Sequence, residues 1–115
     1  MAVRTLEKQE WHNYFDRISR GLLGKRAEIE VASLELGDQI EAESVLLLGI
    51  TYDEKDEVLD IALDGLDHLV PKPRQIFIDE GLGGLASFAV VDHAGVRHIV
   101  QLREPLMLPP PSSTE

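Results

Sequence analysis

The sequence predicts an α+β domain, an N-terminal amphipathic helix followed by a meander of about six antiparallel strands that forms a curled sheet or a small, partly open barrel. Three observations carry this. Trp11, Tyr14, Phe15, Ile18 and Leu22 recur at helical spacing. From Lys25 onward the apolar period changes to two. The strand-like runs then follow one another with short Gly, Asp and Pro punctuation and no further helical pattern.

The helix is expected over about residues 7–20. Leu6 and Trp11 have the spacing of a hydrophobic staple around an N-cap at Glu7, with Glu10 at N3; Thr5 is the rival cap. Arg17 and Arg20 suit the negative end of the dipole, and Gly21 can take the left-handed conformation that ends the helix. Ala27, Ile29 and Val31 then alternate with Glu28 and Glu30. Leu34 and Leu36 fall out of that phase, which predicts a bulge near Ala32 and Ser33 before a turn at Gly37 and Asp38.

A short strand over 39–43 is expected next. After a break near Ser44, Leu46, Leu48, Ile50 and Tyr52 share one face and Leu47, Gly49 and Thr51 the other. Residues 53–57 make a loop, and Leu59, Ile61 and Leu63 complete a hairpin. Pro71 and Pro73 restrict 68–70 to an edge segment before a strand over 74–79. Gly81, Gly83 and Gly84 turn the chain into strand 85–91, and 92–95 turns it into strand 96–103. Residues 1–104 are read as one domain and 105–115 as a Pro/Ser-rich flexible tail.

Composition restricts function. Eleven basic residues against 21 acidic ones give a formal charge of −10 on 115 residues. A nucleic-acid binder needs net positive potential, so no nucleic-acid partner is expected. The charge is uneven: residues 1–26 carry 6 basic and 3 acidic side chains, 27–67 carry 1 and 13, and 68–115 carry 4 and 5. The middle third is thus a candidate docking face for a basic protein partner. The absence of cysteine removes disulfides and thiolate chemistry. No apolar leader core follows Met1, and the run 45–50 is far short of the ~20 residues of a membrane span, so a cytoplasmic location without a membrane partner is expected.

Chemical motifs are weak. The run from Gly81 to Ala86 has G-x-G-x-x-[GA] spacing, but a strand follows where dinucleotide binding needs a helix, so no cofactor is expected. His68 with Asp67, and Asp92, His93 and His98 on the last hairpin, are residue types that ligate zinc, at spacings that match no local motif. His98 shares a face with Val96, Val100 and Leu102, which suits a hydrogen-bonded core histidine. Asp53, Glu54, Asp56, Glu57, Asp60, Asp64 and Asp67 read as a solvated acidic surface, without the spacing of a calcium loop. Ser87 lacks the nucleophile-elbow pattern. No catalytic or metal residue is assigned.

Glu10-Trp11, Tyr14-Phe15-Asp16 and Ser19, with Leu48-Gly49-Ile50-Thr51-Tyr52-Asp53 and with His68, Pro73 and Ile76, resemble a bacterial family of uncharacterised proteins, the "domain of unknown function" family numbered 5335. The resemblance runs to Leu102 and excludes the Pro-rich tail. It implies a bacterial stand-alone domain and transfers no site residue.

Strands 46–52, 76–78 and 88–91 are apolar on both faces, more than one short helix can cover. Closure of the sheet or self-association is therefore expected. The expected role is a non-catalytic acidic interaction or assembly module. The alternative is a small-molecule or metal-binding protein, with enzyme activity left open, using a cleft between helix and sheet near Trp11, Tyr14, His68 and Pro73. An RNA-binding ring of small barrels is disfavoured by the acidic balance.

Overall fold

A computed structural model describes residues 2–22, 24–35, 37–81 and 84–103. The chain runs β1 (Ala2–Leu6), a 3-10 turn (Lys8–Glu10), α1 (Trp11–Ser19), a second 3-10 turn (Arg20–Leu22), β2 (Arg26–Ser33), β3 (Gly37–Asp53), β4 (Val58–Leu63), β5 (Leu66–Pro71), β6 (Pro73–Gly81), β7 (Gly84–Asp92) and β8 (Arg97–Arg103). All eight strands form one antiparallel sheet in the order β1-β6-β7-β8-β2-β3-β4-β5, which is not closed by a ladder between β1 and β5. The α+β class agrees with the expectation; the strand count is higher, and one strand, β1, precedes the helix.

The helix expected over 7–20 is α-helical only from Trp11 to Ser19, and the cap at Glu7 belongs to the 3-10 turn that leads into it. The Glu7 N–H donates to Glu10 Oε2 (3.1 Å), so Glu7 takes the cap, and Thr5 belongs to β1. The Trp11 indole N–H donates back to the Leu6 carbonyl (3.2 Å), joining β1 to the first turn. At the other end Gly21 stays within the 3-10 turn, and Gly24 takes the left-handed backbone, φ +89°.

β3 differs most from the alternation read in the sequence. The expected break does not split it: it is one strand of 17 residues. It pairs with β2 through its first half and with β4 through its second, and the register slips around Glu41, at Glu43–Ser44 and at Leu48. Ser44 has φ +53°. Each slip changes which parity faces inward, so Ala42, Leu47, Ile50 and Tyr52 are buried while Leu48 is half exposed. The bulge expected near Ala32 and Ser33 is therefore placed on β3, opposite residues 27–30 of β2.

These bulges bend the long strand and curl the sheet around one interior. Every strand from β2 to β8 contributes buried side chains to it, among them Ile29, Leu47, Ile61, Val70, Ile76, Phe88 and Val100. α1 adds Trp11, Tyr14 and Phe15: Trp11 meets Tyr52 edge-on (5.2 Å) and Phe15 lies 5.3 Å from Phe88. Ser19 fastens the helix to β3, its Oγ accepting the Ile50 N–H at 3.0 Å. The inner face of the two-sided apolar strands is thus shielded within the chain, while on the outer face Ile40 and Leu48 stay half exposed. The stretch 105–115 lies outside the described residues.

Candidate functional site

The interior layer contains one polar chain. Asp92 ends β7 and is buried, as is His98 on β8; His68 on the edge strand β5 is half-buried. Asp92 Oδ2 lies 3.0 Å from His98 Nε2, and His98 Nδ1 lies 2.9 Å from His68 Nε2. Asp92 is oriented by its turn, because its Oδ1 accepts the N–H groups of Ala94 (2.9 Å) and Val96 (3.0 Å). Burial alone would raise its proton affinity, but hydrogen bonds from His98, Val96 and Ala94 outweigh it and hold the carboxyl below the usual range.

An ionised carboxylate only accepts hydrogen bonds, so the tautomers follow along the chain. With both rings neutral, His98 donates Nε2–H to Asp92 and accepts at Nδ1, and His68 donates Nε2–H to His98 and keeps a lone pair on Nδ1. Burial, and then the neighbouring His98, lower the proton affinity of His68, while Glu41 on β3 acts in the opposite sense. The arrangement can orient an imidazole and pass a proton along three groups.

His68 and Pro73 are near this chain, since Pro73 pairs in register with Asp92. Trp11 and Tyr14 are in the aromatic core around α1. The Tyr14 hydroxyl donates to Glu80 Oε2 (2.7 Å) at the far end of β6, and Arg4 and Arg17 lie over its ring at 5.9 and 5.6 Å. Burial, then the Glu80 carboxylate, push the Tyr14 phenol well above its ordinary range.

Of the metal-ligand types, Asp92, His98 and His68 converge, but ring nitrogens facing each other at 2.9 Å are joined by a proton, without room for an ion between them. His93 is exposed in the turn and Asp67 exposed on β5. Among the described residues no three His, Asp or Glu side chains are arranged to hold a metal. Gly81, the last residue of β6, pairs with Gly84, the first of β7, so strand pairing stands where dinucleotide binding needs a helix. Ser87 pairs with Asp79 on the outer face, across the sheet from the histidines. Asp53 Oδ1 accepts the N–H groups of Lys55 (2.9 Å) and Asp56 (3.2 Å), a turn-forming role.

The outer face carries a pattern that strand-by-strand reading missed. Registers place Phe77, Ala89, Ile99, Glu30 and Ile40 in one row across β6, β7, β8, β2 and β3. Phe77, Ala89 and Ile99 are half-buried, and Ile40 is half exposed. Glu30 shares a hydrogen bond with the Asp38 carboxyl; that bond, then desolvation, then the charges of Asp38 and Glu28 all raise its proton affinity. Only the strand order could have revealed this row.

The family of unknown function DUF5335 matches residues 2–111, so the match extends into the Pro-rich stretch that the sequence reading set apart. An uncharacterised protein of Aquifex aeolicus (strain VF5) is 37% identical over 110 residues, covering 95% of this chain and 99% of that protein. No solved structure is significantly similar. With nearly the whole chain matched, this protein belongs to the DUF5335 family.

Proposed function

We propose that the chain is a non-catalytic interaction module whose docking face is the outer surface of β6, β7, β8, β2 and β3, and that its partner is a basic protein segment. The carrying observation is the Glu30–Asp38 carboxyl pair beside Glu28, at the end of the apolar row Phe77, Ala89 and Ile99. On an open face the neighbouring Asp38 and Glu28 raise the cost of ionising Glu30, and a Lys or Arg side chain relieves that cost. The apolar row beside them offers a place for a large side chain of the same segment.

A Lys-rich amphipathic peptide is the probe. Its binding should weaken steeply between about 50 and 300 mM salt, and Glu30→Lys together with Asp38→Lys should abolish it. Binding indifferent to both salt and charge reversal would remove the proposal. Assembly is tested separately by light scattering: a clean monomer at about 100 μM excludes a stable dimer. The alternative of small-molecule or metal binding draws its support from the lone-pair nitrogen of His68. It predicts a melting temperature raised by a metal or metabolite, where the docking reading predicts none.

A further inference from the structure

We infer that the His68–His98 hydrogen bond is a two-proton latch: it ties the edge strand β5 across the curl of the sheet to β8, and uptake of two protons releases it.

The topology gives this bond its leverage. β5 is the last strand in the sheet order and its ladder is made to β4 alone; β8 stands four places away in the same sheet. A contact between them at 2.9 Å exists only because the sheet curls. An edge strand with a ladder on one side is the element most ready to fray. Here the second side is held by a pair of titratable rings.

Proton counting sets the condition for release. Two neutral imidazoles across 2.9 Å present one N–H and one lone pair. One added proton is accommodated, because an imidazolium and an imidazole still offer a donor and an acceptor to each other. A second proton leaves two N–H groups face to face and two positive charges in contact, so the bond is lost and replaced by repulsion. Release is therefore steeper with pH than the titration of one histidine.

The surroundings decide where release occurs. Among the described residues, Asp92 on β7 is bonded to His98, and Glu41 on β3 favours the protonated ring of His68. β4 presents Ile61 opposite His68, β2 presents Val31 and β7 Val90 opposite His98, and β6 presents Pro73 opposite Asp92, none of which titrates. Asp67 and Arg97 are exposed, on the alternate face of their strands. Burial and the neighbouring His98 lower the proton affinity of His68, so release falls on the acid side of the ordinary histidine range. Lifting β5 would uncover Val70, fully buried in the closed form, and the free edge of β4.

Amide hydrogen exchange of the full chain, corrected for the intrinsic effect of pH, tests this. Protection of the β5 amides should fall about tenfold or more between about pH 7.5 and pH 5, while β2 and β8 remain protected. His68→Gln retains a donor toward His98 and cannot titrate; it should hold β5 closed at both pH values. Glu41→Gln removes a charge that favours the protonated His68 ring in the closed form and should move release to higher pH, and His93→Gln, at an exposed turn, should leave it in place. Unchanged β5 protection in the native chain, or an undiminished fall in His68→Gln, overturns the latch. Nitrogen-15 shifts of the native rings give a check that needs no variant: Nε2–H on both histidines is expected at about pH 7.5, and an Nδ1–H form of either would overturn it.

Discussion

Around α1 the interior is aromatic and its polar atoms end on fixed acceptors, whereas near β5 three titratable side chains occupy the same layer. Trp11 donates to a carbonyl, Tyr14 to a carboxylate, and Ser19 joins a helix carbonyl to β3, so none of them changes state near neutral pH. At the other region Asp92, His98 and His68 hold together only while the two facing rings carry at most one added proton between them. The same curl thus has a region set by packing and a region set by protons. Mutations at the first should lower stability at every pH, and mutations at the second should change how stability depends on pH.

The largest expected effect is at the packed region. Phe15 is fully buried, edge-on to Tyr14 (5.4 Å) and beside Phe88. Phe15→Ala should cost about 3–5 kcal/mol in urea unfolding. Ser19→Ala removes the acceptor of the Ile50 N–H, leaving a strand donor unpaired beneath the helix, and should cost about 1–3 kcal/mol. Tyr14→Phe loses a hydrogen bond to a charged group and should cost about 1–2 kcal/mol, with little change between pH 6 and 8. A strong pH dependence in any of these three would erase the contrast between the regions.

How much of this was readable in sequence divides along the same line. The helix was legible because five large side chains at helical spacing admit one arrangement. So were the inward faces of β4 and β6, where Leu59, Ile61 and Leu63, and Ile76 and Ile78, alternate without interruption. β1 was not, since Ala-Val-Arg-Thr-Leu is five residues long and pairs with a strand some seventy positions away. β3 was misread at Leu47 and Leu48 because a bulge costs one residue of phase and leaves no mark in hydropathy. His98 was legible as a hydrogen-bonded core histidine, but its partner His68 lies 30 residues away and reaches it only through the curl.

A smaller effect distinguishes a misplaced charge from a used one. Asp60 Oδ1 is enclosed with no hydrogen-bond partner among the described residues, and burial, then the charge of Asp67, raise its proton affinity. A carboxyl bound more tightly by protons in the folded state weakens the fold when ionised and regains that loss as pH falls through its folded value. Asp60→Asn should therefore stabilise slightly at pH 7, and the gain should shrink toward pH 4. Loss of stability at pH 7 would mean that the ionised carboxylate is held favourably within the fold, against its enclosure.

The last contrast is the pH profile of the whole fold, compared between the native chain and His68→Gln. His68 binds protons less readily when folded than when unfolded, so its contribution is fully present above the ordinary histidine value of 6.5 and is lost as pH falls below it. Asp92 has its own window: its contribution is present above the unfolded value of 3.8 and disappears as pH falls through the lower folded value. Urea midpoints should thus decline in two stages as the solution is acidified, first with the histidine and later with the carboxylate. His68→Gln should remove the first stage and keep the second. Were both stages to survive, the pH sensitivity would belong to the acidic surface as a whole, and the region around β5 would be as indifferent to protons as the aromatic one.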